Sequence, residues 1–92
     1  MTESNDMTGL ARTALDHLKQ GELALGSHWE AAHEICQAYE DVQIMNRIHA
    51  LCHRIEGDIP NAGYWDRMGG QETPTGTLTD EWNGLNQFLA EA

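Results

Sequence analysis

Apolar residues recur along this chain at helical rather than strand spacing. Met7, Leu10, Ala11, Ala14, Leu15 and Leu18 are separated by 3, 1, 3, 1 and 3 positions, which puts them on one helical face. The pattern predicts a helix from about Asp6 to Leu25, with residues 1–5 frayed, Gly21 weakening the helix or ending it early, and Gly26 a stop. Ser27 and Glu30 have capping-box spacing and should open a second helix reaching about Tyr39 or Glu40. Its core face would carry Trp29, Ala32, Cys36 and Tyr39. A third helix is expected from about Asp41, with Ile44, Ile48, Leu51, Cys52 and Ile55 in one stripe and Gly57 in the left-handed position that ends it. Pro60 suits the first turn of a short fourth helix, about Pro60 to Met68, stopped by Gly69-Gly70. Residues 69–78 are rich in turn formers, so they read as a loop and the one mobile connection. Thr77 with Asp80, or Thr79 alone, starts a last helix through about Ala90 that buries Leu78, Trp82, Leu85, Phe88 and Leu89. β-branched residues are scarce outside the Thr-rich loop, and Val42 is the only valine, which argues against a sheet. The expected fold is all-α: a single domain over residues 1–92 with about five short helices in antiparallel hairpins.

Composition narrows the classes of function. A 92-residue chain buries one modest core but not a dinucleotide-sized cofactor together with a substrate pocket. Five basic residues stand against 15 acidic ones, a net charge of −10, so nucleic acid and anionic membrane surfaces would be repelled. Cations and basic protein surfaces remain as partners. No apolar run approaches the ~20 residues of a membrane span, and the acidic, polar start lacks the pattern of a secretory signal. The chain is therefore expected in the cytoplasm, with Cys36 and Cys52 as reduced, buried thiols.

Gly57-Asp-Ile-Pro-Asn-Ala62 followed by Tyr64 resembles the turn of a tetratricopeptide repeat, in which an alanine follows the turn glycine by five positions. Gly26-Ser-His-Trp-Glu-Ala31 has the same offset, and the two alanines lie 31 residues apart. The resemblance implies tetratricopeptide-like hairpins over the centre of the chain. Trp29-Glu-Ala-Ala-His-Glu34 and Asp80-Glu-Trp-Asn-Gly-Leu85 also resemble stretches in short uncharacterised bacterial helical proteins, a likeness that implies a fold and no activity.

Candidate chemistry is concentrated between Ser27 and Trp65. Glu30 and His33 are three apart on one helical stripe, and His49, His53 and Glu56 follow at i, i+4 and i+7 on the next. If the two helices pack antiparallel these stripes converge, and imidazoles with carboxylates are ligands for zinc, or for iron or manganese. Glu30, His33, His49 and His53 are the candidate ligands of a single divalent metal. A second Glu-x-x-His copy, which a di-iron bundle would need, is missing. The bland alternative has His33 and His53 partly buried and bonded to Glu30, Glu56 or Asp58, with His28 and His49 exposed. Trp29, Tyr64 and Trp65 join the histidines in a candidate ligand groove lined by Trp29, His33, His49, His53, Tyr64 and Trp65. No catalytic residue stands out: the cysteines lie on apolar stripes of an acidic chain, and Gly69-Gly70 is not a phosphate loop. The sequence favours a non-catalytic binding module that takes a protein partner or a second copy of itself and needs no cofactor. Metal binding on the His/Glu face is the alternative.

Overall fold

The computed structural model describes the backbone of residues 2–91 and the side chains of residues 7–91. Five helices follow one another: α1 Thr2–Gln20, α2 Ser27–Gln37, α3 Gln43–Glu56, α4 Ile59–Met68 and α5 Leu78–Glu91. There is no strand among the described residues, so the fold is all-α. None of these helices is long and apolar enough to cross a membrane.

Three of the four connections turn on the same device. At the end of α3, Gly57 takes φ 86°, the Gly57 N–H donates to the Arg54 carbonyl and the Asp58 N–H donates to that of His53. This is a Schellman motif, and it is where the sequence places it. After α4 the motif recurs with Gly70 at φ 71°, Gly70 bonding Arg67 and Gln71 bonding Asp66. The first helix departs from expectation. It begins at Thr2 rather than fraying over residues 2–5, and it ends at Gln20, five residues short of Leu25 and at the early stop that Gly21 offered. Here the left-handed position falls to Glu22 (φ 60°), with Glu22 N–H bonded to Lys19 and Leu23 N–H to Leu18. Gly21 serves a different need, because a Cβ there would lie 2.9 Å from the Cβ of His28. The Ser27–Glu30 capping box also does not form. Gly26 is the N-cap of α2, no side chain caps it, and the helix stops at Gln37. Thr77 and Asp80 do form their box at the start of α5, each bonding the other's backbone N–H at 3.0–3.1 Å.

Helix α3 is the hub: it packs against each of the other four, and among the described residues it is the only helix that α4 packs against. Met45, Ile48, Ala50, Leu51 and Cys52 are fully buried, as are the Asn46, His49 and His53 positions to within a few per cent. The single apolar stripe read from the sequence is therefore too narrow, since a central helix is enclosed on several sides. Ala11, Ala14, Leu15 and Leu18 of α1, Ala32 and Cys36 of α2, and Trp82, Leu85 and Leu89 of α5 complete the core. Cys36 and Cys52 are free thiols within it. Phe88, expected inside, is half-exposed with the Arg47 guanidinium over its ring. Leu78 is only partly buried.

Polar ties fix α4 and α5 to α3. The Arg54 fork donates to both carboxylate oxygens of Asp66 at 2.8 and 2.9 Å, and to both of Glu81 at 2.7 and 2.8 Å. Gln71 adds a hydrogen bond to Asp66 at 2.9 Å. At the far end of α4, Arg47 Nε donates to the Gly69 carbonyl at 2.8 Å. Gly69 packs so tightly there that a Cβ would meet Arg47 Cγ at 2.7 Å. Burial alone would raise the Asp66 carboxyl, but the hydrogen bonds from Arg54 and Gln71 outweigh it and hold its pKa below the usual value. A depressed folded-state pKa means that the unfolded chain binds the proton more readily, so the stability Asp66 provides is present above pH ~4 and is lost as pH falls through the folded value. Denaturant titrations between about pH 5 and pH 2 should show a smaller acid loss of stability for Asp66→Asn than for wild type. Identical acid slopes would contradict this role.

Candidate metal centre

Helix α2 brings Trp29 and His33 to one side of α3, four residues apart and so nearly in line along the helix. Helix α3 presents His49 and His53 at the same spacing. The Schellman turn at Gly57 then sends α4 back along α3, which lays Trp65 over His49. Asp58 caps α4 by accepting from the Asn61 N–H at 3.4 Å.

The result is a cluster of three imidazoles. His33 Nε2 lies 3.1 Å from His49 Nε2 and 3.4 Å from His53 Nε2. A ligand-capable nitrogen from each ring lies within 4.8 Å of the other two. The rings are fixed from outside. Trp29 stacks on His33 with centroids 4.8 Å apart and planes 10° apart, while its indole N–H donates to the Cys52 carbonyl at 2.8 Å. Trp65 stacks on His49 at 4.0 Å and 16°. Glu56 Oε2 contacts His53 Nδ1 at 2.5 Å. That contact assigns the proton: Nδ1–H donates to the carboxylate, so a neutral His53 carries its lone pair on Nε2, toward the centre of the cluster.

Burial, followed by the neighbouring His33 and His53, pushes His49 down from 6.5 to about 3. Burial and then His53 also lower His33, against the opposing pull of Glu56 and Glu34. Both rings are therefore neutral near pH 7, which is the form that binds metal. Three nitrogens this close are poorly served by protons alone, since a proton on His33 Nε2 would be shared between two acceptors. A single cation satisfies all three lone pairs. A tetrahedral ion with bonds of about 2.0–2.1 Å sets its nitrogens about 3.3–3.4 Å apart; two of the three spacings here, 3.1 and 3.4 Å, lie near that separation and the third is within 4.8 Å. His49 Nδ1 is buried without a hydrogen-bond partner, so the ring's polar contacts are confined to Nε2 and the cluster.

Of the four candidate ligands, His33, His49 and His53 come together and Glu30 does not. Glu30 is exposed on α2, turned about 100° from Trp29 at the helical rate per residue. Among the described residues no carboxylate or thiol joins all three imidazoles. His49 is 2% exposed rather than lying at the surface as the bland alternative had it, and His28 is only partly exposed, its Nδ1 3.1 Å from that of His17. Of the six groove candidates, Trp29 stacks on His33, Trp65 on His49 and His49 on His53, the two stacks meeting edge-on at His33, and Tyr64 is half-exposed against the edge of Trp65. Asn61 was not singled out by the sequence pattern. Its Nδ2 lies 3.5 Å from His53 Nε2, and the signal for it was the Asp58-to-Asn61 spacing of a helix cap.

The carboxylate behind His53 makes a separate prediction. Glu56→Gln keeps the size of the side chain but removes the anion that orients and polarises the imidazole. Zinc affinity should fall 10- to 100-fold, measured by competition with a chromophoric chelator. An unchanged affinity would leave Glu56 as a surface partner only.

No protein-family model, no curated protein and no solved structure matches this chain. The functional reading rests on the geometry of the cluster.

Proposed function

We propose that this protein binds one divalent transition-metal ion, zinc or a chemically similar one, through the Nε2 atoms of His33, His49 and His53. The observation that carries this reading is the spacing of those nitrogens, 3.1 and 3.4 Å about His33, which suits tetrahedral coordination. The neutral state of His33 and His49 supports it, as does the carboxylate behind His53. An all-imidazole donor set suits zinc, copper, nickel or iron, and disfavours magnesium and calcium, which take oxygen ligands. The aromatic residues that would serve an interaction groove spend their faces on the imidazoles, which favours metal binding over a protein-docking role.

Calorimetric titration of metal-stripped protein with zinc tests this. One ion per chain should bind, and free zinc at 100 times Kd should add about 2.7 kcal/mol of stability, raising the melting temperature by about 10 °C or more. Absence of binding together with an unchanged melt would reduce the cluster to a packing feature.

A further inference from the structure

Resting on the metal reading above, we propose that the ion keeps its fourth coordination position for an exchangeable small ligand, a water or hydroxide or a small monodentate anion, held by a hydrogen bond from the Asn61 side-chain amide. Two observations carry this. The first is the donor count: His33, His49 and His53 converge, and among the described residues no carboxylate or thiol completes the set. A zinc-type ion with three imidazole ligands takes its fourth from outside the protein.

The second is the placement of Asn61 in the first turn of α4. Its Nδ2 lies 3.4 Å from Asp58 Oδ2 and 3.5 Å from His53 Nε2, while the other Asp58 oxygen accepts from the Asn61 backbone N–H at 3.4 Å. The Asp58 carboxylate decides which way the amide is turned. Rotated by 180°, the amide would set its own oxygen against that carboxylate and against the lone pair of His53. In the orientation found, one hydrogen of the NH2 group serves Asp58 and the second is directed at the cluster. Once a metal occupies the His53 lone pair, that second hydrogen is free to donate to whatever ligand fills the fourth position. A donor prefers an acceptor carrying negative charge, so Asn61 favours hydroxide over water and welcomes small anions. Solvent reaches the position, because His33 and Asn61 are both only partly buried. Asn61 acts here as a positioning residue for the ligand, not as a ligand of the ion.

Cobalt(II) reports on the fourth position because its visible bands respond to a change of ligand. The cobalt-loaded full-length protein, with loading confirmed by equilibrium dialysis, would be titrated with sodium azide. The expected result is a saturable change in the cobalt bands, with azide affinity about ten-fold weaker or more in Asn61→Ala, the loss of one hydrogen bond to a charged acceptor. A pH titration of the same bands should place the ionisation of the bound water higher in Asn61→Ala than in wild type. Asn61→Ser, which keeps a donor, should recover part of both effects. Bands indifferent to azide and pH would overturn the exchangeable position, and an azide affinity unchanged in Asn61→Ala would overturn the role of Asn61. Failure of the wild type to take up cobalt or zinc would overturn the metal reading itself, a separate and recognisable outcome.

Discussion

Replacing His33, His49 or His53 by alanine should weaken zinc binding by more than about 100-fold in each case, because loss of a residue behind a ligand already costs 10- to 100-fold. His17→Ala and His28→Ala should leave the affinity at the wild-type value. Those two rings pair with each other across α1 and α2, Nδ1 to Nδ1 at 3.1 Å, and do not belong to the convergent cluster. The contrast separates a built site from the general affinity of an acidic, histidine-bearing surface for cations. His33 gives the cleanest test, since it is only partly buried and its loss leaves the α3 core intact, whereas His49 is 2% exposed beneath Trp65. Circular dichroism on each variant would confirm that the helices persist. Equal zinc affinity across all five variants would contradict the three-histidine assignment.

The second large effect lies in the Arg54 network. Arg54→Met should destabilise the protein by about 3–5 kcal/mol, because it leaves the carboxylates of Asp66 and Glu81 buried without their partner. For a chain of this length that corresponds to a fall in melting temperature of at least about 12 °C. The damage should be concentrated in α4, which among the described residues packs only on α3 and depends on this tie. Since α4 carries Trp65 and Asn61, zinc affinity should fall with it even though the Arg54 guanidinium bonds Asp66 and Glu81 rather than the imidazoles. Replacing all three members with apolar residues, Arg54→Met with Asp66→Leu and Glu81→Leu, should restore most of the stability, because no buried charge is then left alone. Thermal melts of the single and triple variants check both statements. A single variant as stable as wild type would show the network to be incidental.

Much of this architecture was legible in the sequence, and the exceptions have physical causes. Gly57, Pro60 and the Thr77–Asp80 pair carry their own backbone instructions, and the turns form where those residues stand. Helix α1 ends early at Gly21, as the sequence allowed, but the left-handed position falls to Glu22, and the missing Cβ of Gly21 makes room for His28 instead. A short polar pattern such as Ser27–Glu30 is also weak against a glycine that caps the helix one residue earlier. His49 and His53 were found from their i, i+4 spacing and His33 from its i, i+3 spacing to Glu30, relations that hold within one helix regardless of packing. Spacing says nothing about rotation between two helices, so it could not distinguish His33, which turns inward, from Glu30, which turns out. Glu81 was hidden for a related reason: an acidic residue in the first turn of a helix reads as solvated until the Arg54 opposite it is placed. Asn61 could be read only as part of a cap, because its second role depends on α4 folding back over α3.

X-ray absorption at the zinc edge tests the central claim most directly, on the full-length protein loaded with one equivalent of zinc. The account predicts a first shell of nitrogen and oxygen at about 2.0–2.1 Å, with outer-shell scattering that counts three imidazoles and one light atom besides. Sulfur at about 2.3 Å, which would draw in Cys36 or Cys52, or fewer than three imidazoles, would contradict it.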